Sequence, residues 1–317
     1  MAKYHVSIYT KERKTQWDTL VKASPEATFL FRRDFMEYHQ HQFLDYSIMV
    51  FDNEVLLAVL PANRVGETVF SHQGLTYGGF VFKPDLSFIE IDDILSSVLE
   101  FLARHGIKSL DIKITPEFYQ TENTRHIIRC LKNLNVERYR KDRIFAVNYA
   151  KPFTIHKTKM KHFNKNQDKG FLIEEVNDFG LFWTEVLIPR LAEKHNTTPV
   201  HTLSEIELLK ARFKNEVKQF NIYLKDELLA GITIFDKGRI VKSQYGATTK
   251  LGEKERALEY LFLSLIFKFQ TEGKHFFSMG TVRDTAKPLG YNKGLLRQKK
   301  ELGCLEYNQD FYKITLA

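Results

Sequence analysis

The sequence predicts an α/β chain (α+β in its layering) of two similar domains, each a mixed, largely antiparallel sheet flanked by helices. Three observations predict it. First, residues 220–277 read as two antiparallel hairpins, a polar loop, an amphipathic helix and a further strand. Second, the same order occupies residues 46–114. Third, marks within the two stretches correspond: Leu56-Leu57-Ala58 with Leu228-Leu229-Ala230, Tyr77-Gly78-Gly79 with Tyr245-Gly246-Ala247, and Gly106 with Gly273. Their separations of 172, 168 and 167 residues drift little, and a period that long marks a duplicated domain rather than a solenoid.

In the second stretch, Phe220–Leu224 alternates as a strand and turns at Lys225-Asp226-Glu227. Leu228–Phe235 returns, Asp236-Lys237-Gly238 turns again, and Arg239–Ala247 follows as a third strand. A polar loop, Thr248–Lys254, leads to a helix with Leu258, Leu261, Phe262, Leu265, Ile266 and Phe269 on one stripe. Gly273 suits its end, and Lys274–Met279 is the next strand.

The first stretch is preceded by a short strand at 3–10 and by helices at Thr15–Lys22 and Phe29–His41, the latter with the basic pair Arg32 and Arg33. Two strands meet at Asp52-Asn53-Glu54, and Val69–Tyr77 leads to Gly78-Gly79. A helix with Ile91, Ile94, Leu95, Val98, Leu99 and Leu102 on one face ends at Gly106, and Ile107–Ile114 alternates cleanly. The domain boundary is expected near residue 150, giving domains 1–150 and 151–317. Beyond it lie Lys151, Lys157, Lys159, Lys161, Lys165 and Lys169 with only Asp168 against them. That run is either a solvated face or a contact for phosphate or RNA backbone. Phe182–Lys194 reads as a helix, and Ser204 with Glu207 three residues on marks the start of another.

Composition bounds the function. With 317 residues, 43% hydrophobic and 27% charged, the chain can build ordinary cores, and a net charge of +8 suits an anionic partner without naming one. Two distant cysteines, Cys130 and Cys304, argue against a disulfide framework and for a reducing, cytoplasmic setting. Met1-Ala2-Lys3-Tyr4-His5 has no apolar signal region, and no apolar run is long enough to span a bilayer. Neither histidine pair, His195/His201 nor His39/His41, has a third ligand in view, so no metal site is expected.

Several stretches resemble the FemAB-like acyltransferases, which are built from two tandem GNAT-type (acyl-CoA N-acyltransferase) folds, and in particular a subgroup associated with polysaccharide and cell-envelope loci. They are residues 71–79 (SHQGLTYGG), 199–203 (PVHTL), 244–247 (QYGA), 292–295 (NKGL), 298–303 (QKKELG) and 310–312 (DFY), spread over nearly the whole chain. The resemblance implies acyl transfer to an amine without a metal and with no tightly bound cofactor. The donor would be acyl-CoA or aminoacyl-tRNA. The acceptor would be the amine of a cell-envelope precursor, an amino sugar or peptide. Peripheral contact with lipid-linked precursors fits the family, and DNA does not. The donor loop departs from the GNAT pattern Q/R-x-x-G-x-G/A: residues 250–257 (KLGEKERA) hold one glycine and two glutamates. Ala247, Lys250, Gly252 and Lys254 are its candidate donor-binding residues, with backbone around Gly252 cradling a phosphate.

Acyl transfer needs a polarised carbonyl, a neutral amine and a proton for the leaving group. Tyr245, just before the donor loop, is the candidate proton donor, or else a strand aromatic packed on the core. His201 is a candidate base, or binds a sugar hydroxyl, or holds its loop by a backbone bond. His195, Arg283, Asn292 and Lys293 are candidate substrate ligands. The alternative is a non-catalytic tRNA- or glycan-binding module that keeps the duplicated fold.

Overall fold

The computed structural model describes residues 3–316, apart from the side chain of His195. The chain forms two compact units, divided between Asp142 and Arg143 and again between Tyr307 and Asn308. The division thus falls before the expected position near 150, and residues 308 onward belong to the first unit, not the second. The pairing explains this: Phe311–Thr315 of the strand Leu305–Thr315 runs antiparallel to Ser109–Lys113, and Tyr312 and Ile314 enter the first core.

In unit 1, one sheet orders His5–Ile8, Ile48–Asp52, Val55–Leu60 and Val81–Phe82. The other strands of the unit include Ser109–Lys113, Thr68–Phe70, Asn63–Val65 and Leu44–Asp45. The helix Phe88–Arg104 begins with a capping box, Ser87 with Glu90, and buries Ile91, Ile94, Leu95, Val98 and Leu102 against Val50, Leu60 and Ile112. Gly106 closes it at φ +73°, a left-handed position that glycine adopts without strain.

Unit 2 repeats the plan. Phe171–Val176, Val217–Leu224, Glu227–Asp236 and Ile240–Thr248 are successive antiparallel neighbours, and Phe276–Thr281 follows parallel to the last. The helix Ala257–Thr271 buries Leu261, Phe262, Leu265, Ile266 and Phe269 and ends at Gly273, also at φ +73°. Both helix-ending glycines therefore sit in equivalent conformations. The correspondence of Tyr77-Gly78-Gly79 with Tyr245-Gly246-Ala247 differs, because Tyr77–Gly79 lies outside any strand whereas Tyr245–Ala247 lies within one.

Three local expectations are corrected. Residues 29–41 do not form one helix: Phe29–Phe31, Arg33–Met36 and Glu37–Gln42 are separate short turns, broken where Arg32 is extended and the Arg33 N–H donates to Asp18 Oδ1 at 2.9 Å. The expected helix over Phe182–Lys194 contains a π turn, Trp183–Leu187, before Ile188–His195. The next helix, Leu203–Arg212, is capped by Thr202 with Glu205, not by Ser204 with Glu207.

Candidate active site

In unit 2 the strand Ile240–Thr248 carries an extra residue, Gln244: Thr233 pairs with Tyr245, and Ile234 with Ser243. Such a bulge bends the strand and sharpens its twist. On its other edge, pairing with Phe276–Thr281 covers Ile240, Val241 and Lys242 and stops there. Beyond Lys242 the two strands part. A strand edge that leaves its neighbour turns alternate peptide N–H groups toward the opening, where they can donate to a carbonyl oxygen gaining charge.

Sequence reasoning missed the lysine next to this opening. Lys299, in the helix Lys293–Glu301, is buried and donates to the carbonyls of Gly280 (3.1 Å) and Thr281 (2.6 Å) at the end of the diverging strand. Burial pulls its ammonium group down to about 8. Its only signal in the sequence was membership of the Gln298-Lys299-Lys300 run.

Tyr245 and His201, singled out separately in the sequence, meet. The Tyr245 hydroxyl accepts from the His201 backbone N–H at 3.1 Å and lies 2.5 Å from its Nδ1. The hydroxyl and Nδ1 share a hydrogen bond in which either can be the donor, according to the imidazole tautomer. The Tyr245 ring meets the Trp183 ring edge-on, centroids 5.2 Å apart, on the π turn. Burial pushes the Tyr245 hydroxyl up to about 12, so it is protonated at neutral pH. His201 is itself buried and anchors the loop before Thr202.

The donor turn is closed by its own bonds. Ala247 is buried in the strand, and Thr249 caps the short helix Lys250–Lys254. Gly252 N–H donates to Thr249 Oγ1 (2.9 Å), Glu253 N–H to Thr249 O (2.9 Å), Glu255 N–H to Leu251 O (2.9 Å) and Arg256 N–H to Glu253 O (3.2 Å). Gly252 is required for packing, since a Cβ there would lie 2.2 Å from the Leu229 carbonyl oxygen. The acidic residues of the turn, and Glu259 on the helix that follows it, are matched by cations from other segments. Glu253 is held by Arg190 and by Lys194 at 3.0 Å, Glu255 by Lys169, and Glu259 by Lys159. Lys250 is exposed and pairs with Glu193 at 3.1 Å; Lys254 is exposed.

The remaining candidates are dispersed. Asn292 caps the helix Lys293–Glu301, its side chain accepting from Leu295 N–H at 3.0 Å, and Lys293 is exposed on the first turn. Arg283 donates its N–H to Thr281 Oγ1 at 3.0 Å and bridges to Tyr291. His195 ends its helix, and its side chain lies outside what the structure describes. In unit 1, Arg33 is spent internally: it is buried, bonds Glu37 at 3.0 Å and also Asp45, and stacks 3.7 Å from the Tyr9 ring centre.

Unit 1 holds a recess of about 280 Å³ lined by Ser71, His72, Asp111, Lys113, Arg140 and Phe311, among others. His72 sits at φ +61° and is buried; its Nδ1 and Asp111 Oδ1 are buried atoms without a hydrogen-bond partner. A buried polar atom left unpaired costs about 1–3 kcal/mol. Burial lowers the His72 imidazole to about 3 and Lys113 to about 8, and raises the Asp111 carboxyl. A strained backbone, depressed bases and unpaired acceptors lining one cavity mark a binding-site candidate.

The whole chain superposes on FemX, with a TM-score of 0.70 at 12% identity, covering 98% of this chain and 97% of FemX. A tandem GNAT protein from the clavulanic acid biosynthesis pathway matches at TM-score 0.51 and 10% identity over 99% of both chains. The chain has the tandem GNAT fold of FemX. L-PGS from Bacillus licheniformis shares it as well, at TM-score 0.55 and 12% identity, over 81% of this chain and 80% of that one. No family model matches the sequence, and no curated protein is similar to it. Among the described residues, no helix is long and apolar enough to cross a membrane.

Proposed function

We propose that this tandem GNAT chain is an aminoacyltransferase that moves an aminoacyl group from aminoacyl-tRNA to an amine of a cell-envelope precursor. The amine lone pair attacks the ester carbonyl, the C–N bond forms, and the C–O bond to the ribose breaks. The oxyanion formed on the way is held by N–H groups on the open edge of residues 243–248. Tyr245 gives the departing ribose oxygen its proton, and the proton shed by the attacking nitrogen returns to Tyr245 through His201.

One observation carries the choice of tRNA over CoA. Four N–H groups of the donor turn are already bonded within it, which leaves a pyrophosphate little backbone to lie on. Nearby, Lys157, Lys161 and Lys165 are exposed at intervals of four on the helix Lys157–Asn166, a spacing that puts them on one face. A stripe of cations suits an RNA backbone. Both donors are tested in parallel: calorimetric titration with acetyl-CoA, and filter binding of aminoacyl-tRNA over a salt series, each followed by acyl-transfer assays on amino-sugar and peptide amines. Saturable, salt-sensitive tRNA binding with aminoacyl transfer supports the reading. Saturable acetyl-CoA binding with acetyl transfer would overturn the donor assignment. Binding of tRNA without transfer to any amine would favour the non-catalytic module.

A further inference from the structure

On the outer side of unit 1, two helices bring three metal-binding side chains to one point. Asp92 lies on the helix Phe88–Arg104, and His126 and Cys130 are one turn apart on the helix Glu122–Asn133. Their ligand atoms all lie within 4.8 Å of one another. His126 Nε2 is 2.7 Å from Asp92 Oδ1, and Cys130 Sγ donates to the same oxygen at 3.0 Å.

We infer that Asp92, His126 and Cys130 form a zinc site that fastens these two helices together. The donor set fits zinc in kind: one thiolate, one imidazole nitrogen and one carboxylate oxygen, with a water completing a tetrahedron. The charges fit too, because a thiolate and a carboxylate together neutralise a divalent ion. Two donors converging on one oxygen is the arrangement a metal replaces, the ion taking the place of the thiol and imidazole protons. Bonds of about 2.0–2.3 Å in a tetrahedron hold ligand atoms roughly 3.3–3.7 Å apart, so the two distances to Asp92 need to open by only several tenths of an ångström, and His126 and Cys130, whose ligand atoms lie within 4.8 Å of each other, need to settle to the same spacing. Asp92 can supply that movement, being 51% exposed, whereas the His126 side chain is 14% exposed. The imidazole is also held from behind, its ring stacked on Phe88 at 4.3 Å with an interplanar angle of 4°. Such fixing of a ligand ring is what orients a metal-bound histidine. The site has no part in the acyl-transfer reading and stands or falls without it.

The test uses the full chain, free of any affinity tag and stripped with a chelator, titrated with Co²⁺ as a spectroscopic substitute for zinc. The expected result is one Co²⁺ per chain, a thiolate-to-cobalt charge-transfer band, and bleaching of that band by zinc. Cys130→Ser should abolish the band, and Asp92→Asn should weaken apparent affinity at least tenfold. Zinc should raise the melting temperature of the parent chain and leave that of Cys130→Ser unmoved. If Cys130→Ser does not fold, His126→Gln serves in its place, with loss of the band expected. No band in the parent chain at millimolar Co²⁺, or an undiminished band in whichever of these two variants folds, would overturn the proposal and leave an ordinary hydrogen-bonded triad.

Discussion

Replacing Tyr245 with Phe removes one oxygen and keeps the ring against Trp183. That oxygen accepts the His201 backbone N–H and meets Nδ1, and His201 is buried, so water does not readily replace it. A buried donor stripped of its acceptor costs about 1–3 kcal/mol. The pH dependence is a separate effect, the cost of ionising the buried phenol, and does not enter the loss at neutral pH. The hydroxyl is raised from 10 to about 12 by burial, which corresponds to about 3 kcal/mol between folded and unfolded chains. Because the folded value is the higher one, this stability is fully present below pH 10 and is lost as pH rises through about 12. At neutral pH, a loss of about 2 kcal/mol should lower the melting temperature of unit 2 by roughly 4–8 °C. Calorimetric melting of parent and variant at pH 7, and chemical denaturation from pH 9 to 11.5, read both effects. The variant should melt lower at pH 7 and show a shallower decline above pH 10. Coincident melting curves at pH 7 would refute the claim that the hydroxyl anchors the His201 loop. Aminoacyl transfer by the same variant tests the proton-donor role separately, and a rate equal to the parent's would remove it.

Three further outcomes are expected. Gly252→Ala forces a Cβ to 2.2 Å from a backbone oxygen and should cost at least about 1–3 kcal/mol, read as a shift in the urea midpoint. The combined change of Lys157, Lys161 and Lys165 to Gln should leave the melting temperature in place and cut the salt slope of tRNA binding by about 2, at ~0.7 for each phosphate no longer neutralised. Lys299→Met removes a buried ammonium lowered to about 8: between that pH and 10.5 the unfolded chain holds a proton the folded one lacks, so the parent gains about 3 kcal/mol across this window and the variant does not. Urea midpoints at pH 7.5 and 10.5 for both proteins measure the difference.

The duplicated order was legible because it rests on local patterns: apolar periodicities, turns, and a glycine that must be left-handed after each core helix. Gly106 and Gly273, both at φ +73°, are such positions. The domain division was less legible, since the last strand leaves its neighbours in sequence to pair with Ser109–Lys113, and no composition change announces a long-range partner. Residues 29–41 misled for a related reason. Their apolar spacing suits a helix, but Asp18, Glu37 and Asp45 draw on Arg33 and its backbone, and these contacts outweigh a weak propensity. Likewise, His126 and Cys130 are spaced as a helical ligand pair, yet Asp92, their common neighbour, comes from another helix.

The donor turn shows why charge is poorly read along a chain. Taken in order, Glu253 and Glu255 stand at the start of a helix, where they would repel an anion. In space they are occupied. Glu253 is claimed by Arg190 and Lys194 from the helix Ile188–His195, and Glu255 by Lys169, from just beyond the lysine-rich helix. Lys159 of that helix turns inward to Glu259. The lysine run is therefore neither a plain solvated face nor wholly a phosphate contact. Lys159 and Lys169 hold the turn together, and Lys157, Lys161 and Lys165 are left pointing outward. Separately, the backbone bonds within the turn leave a pyrophosphate fewer N–H groups to lie on. A donor that binds through a long polyanionic backbone asks less of the turn and more of the lysines. That division of labour is why the tRNA reading is preferred on physical grounds, and why the lysine substitutions and the turn glycine should separate so cleanly, one affecting binding alone and the other stability.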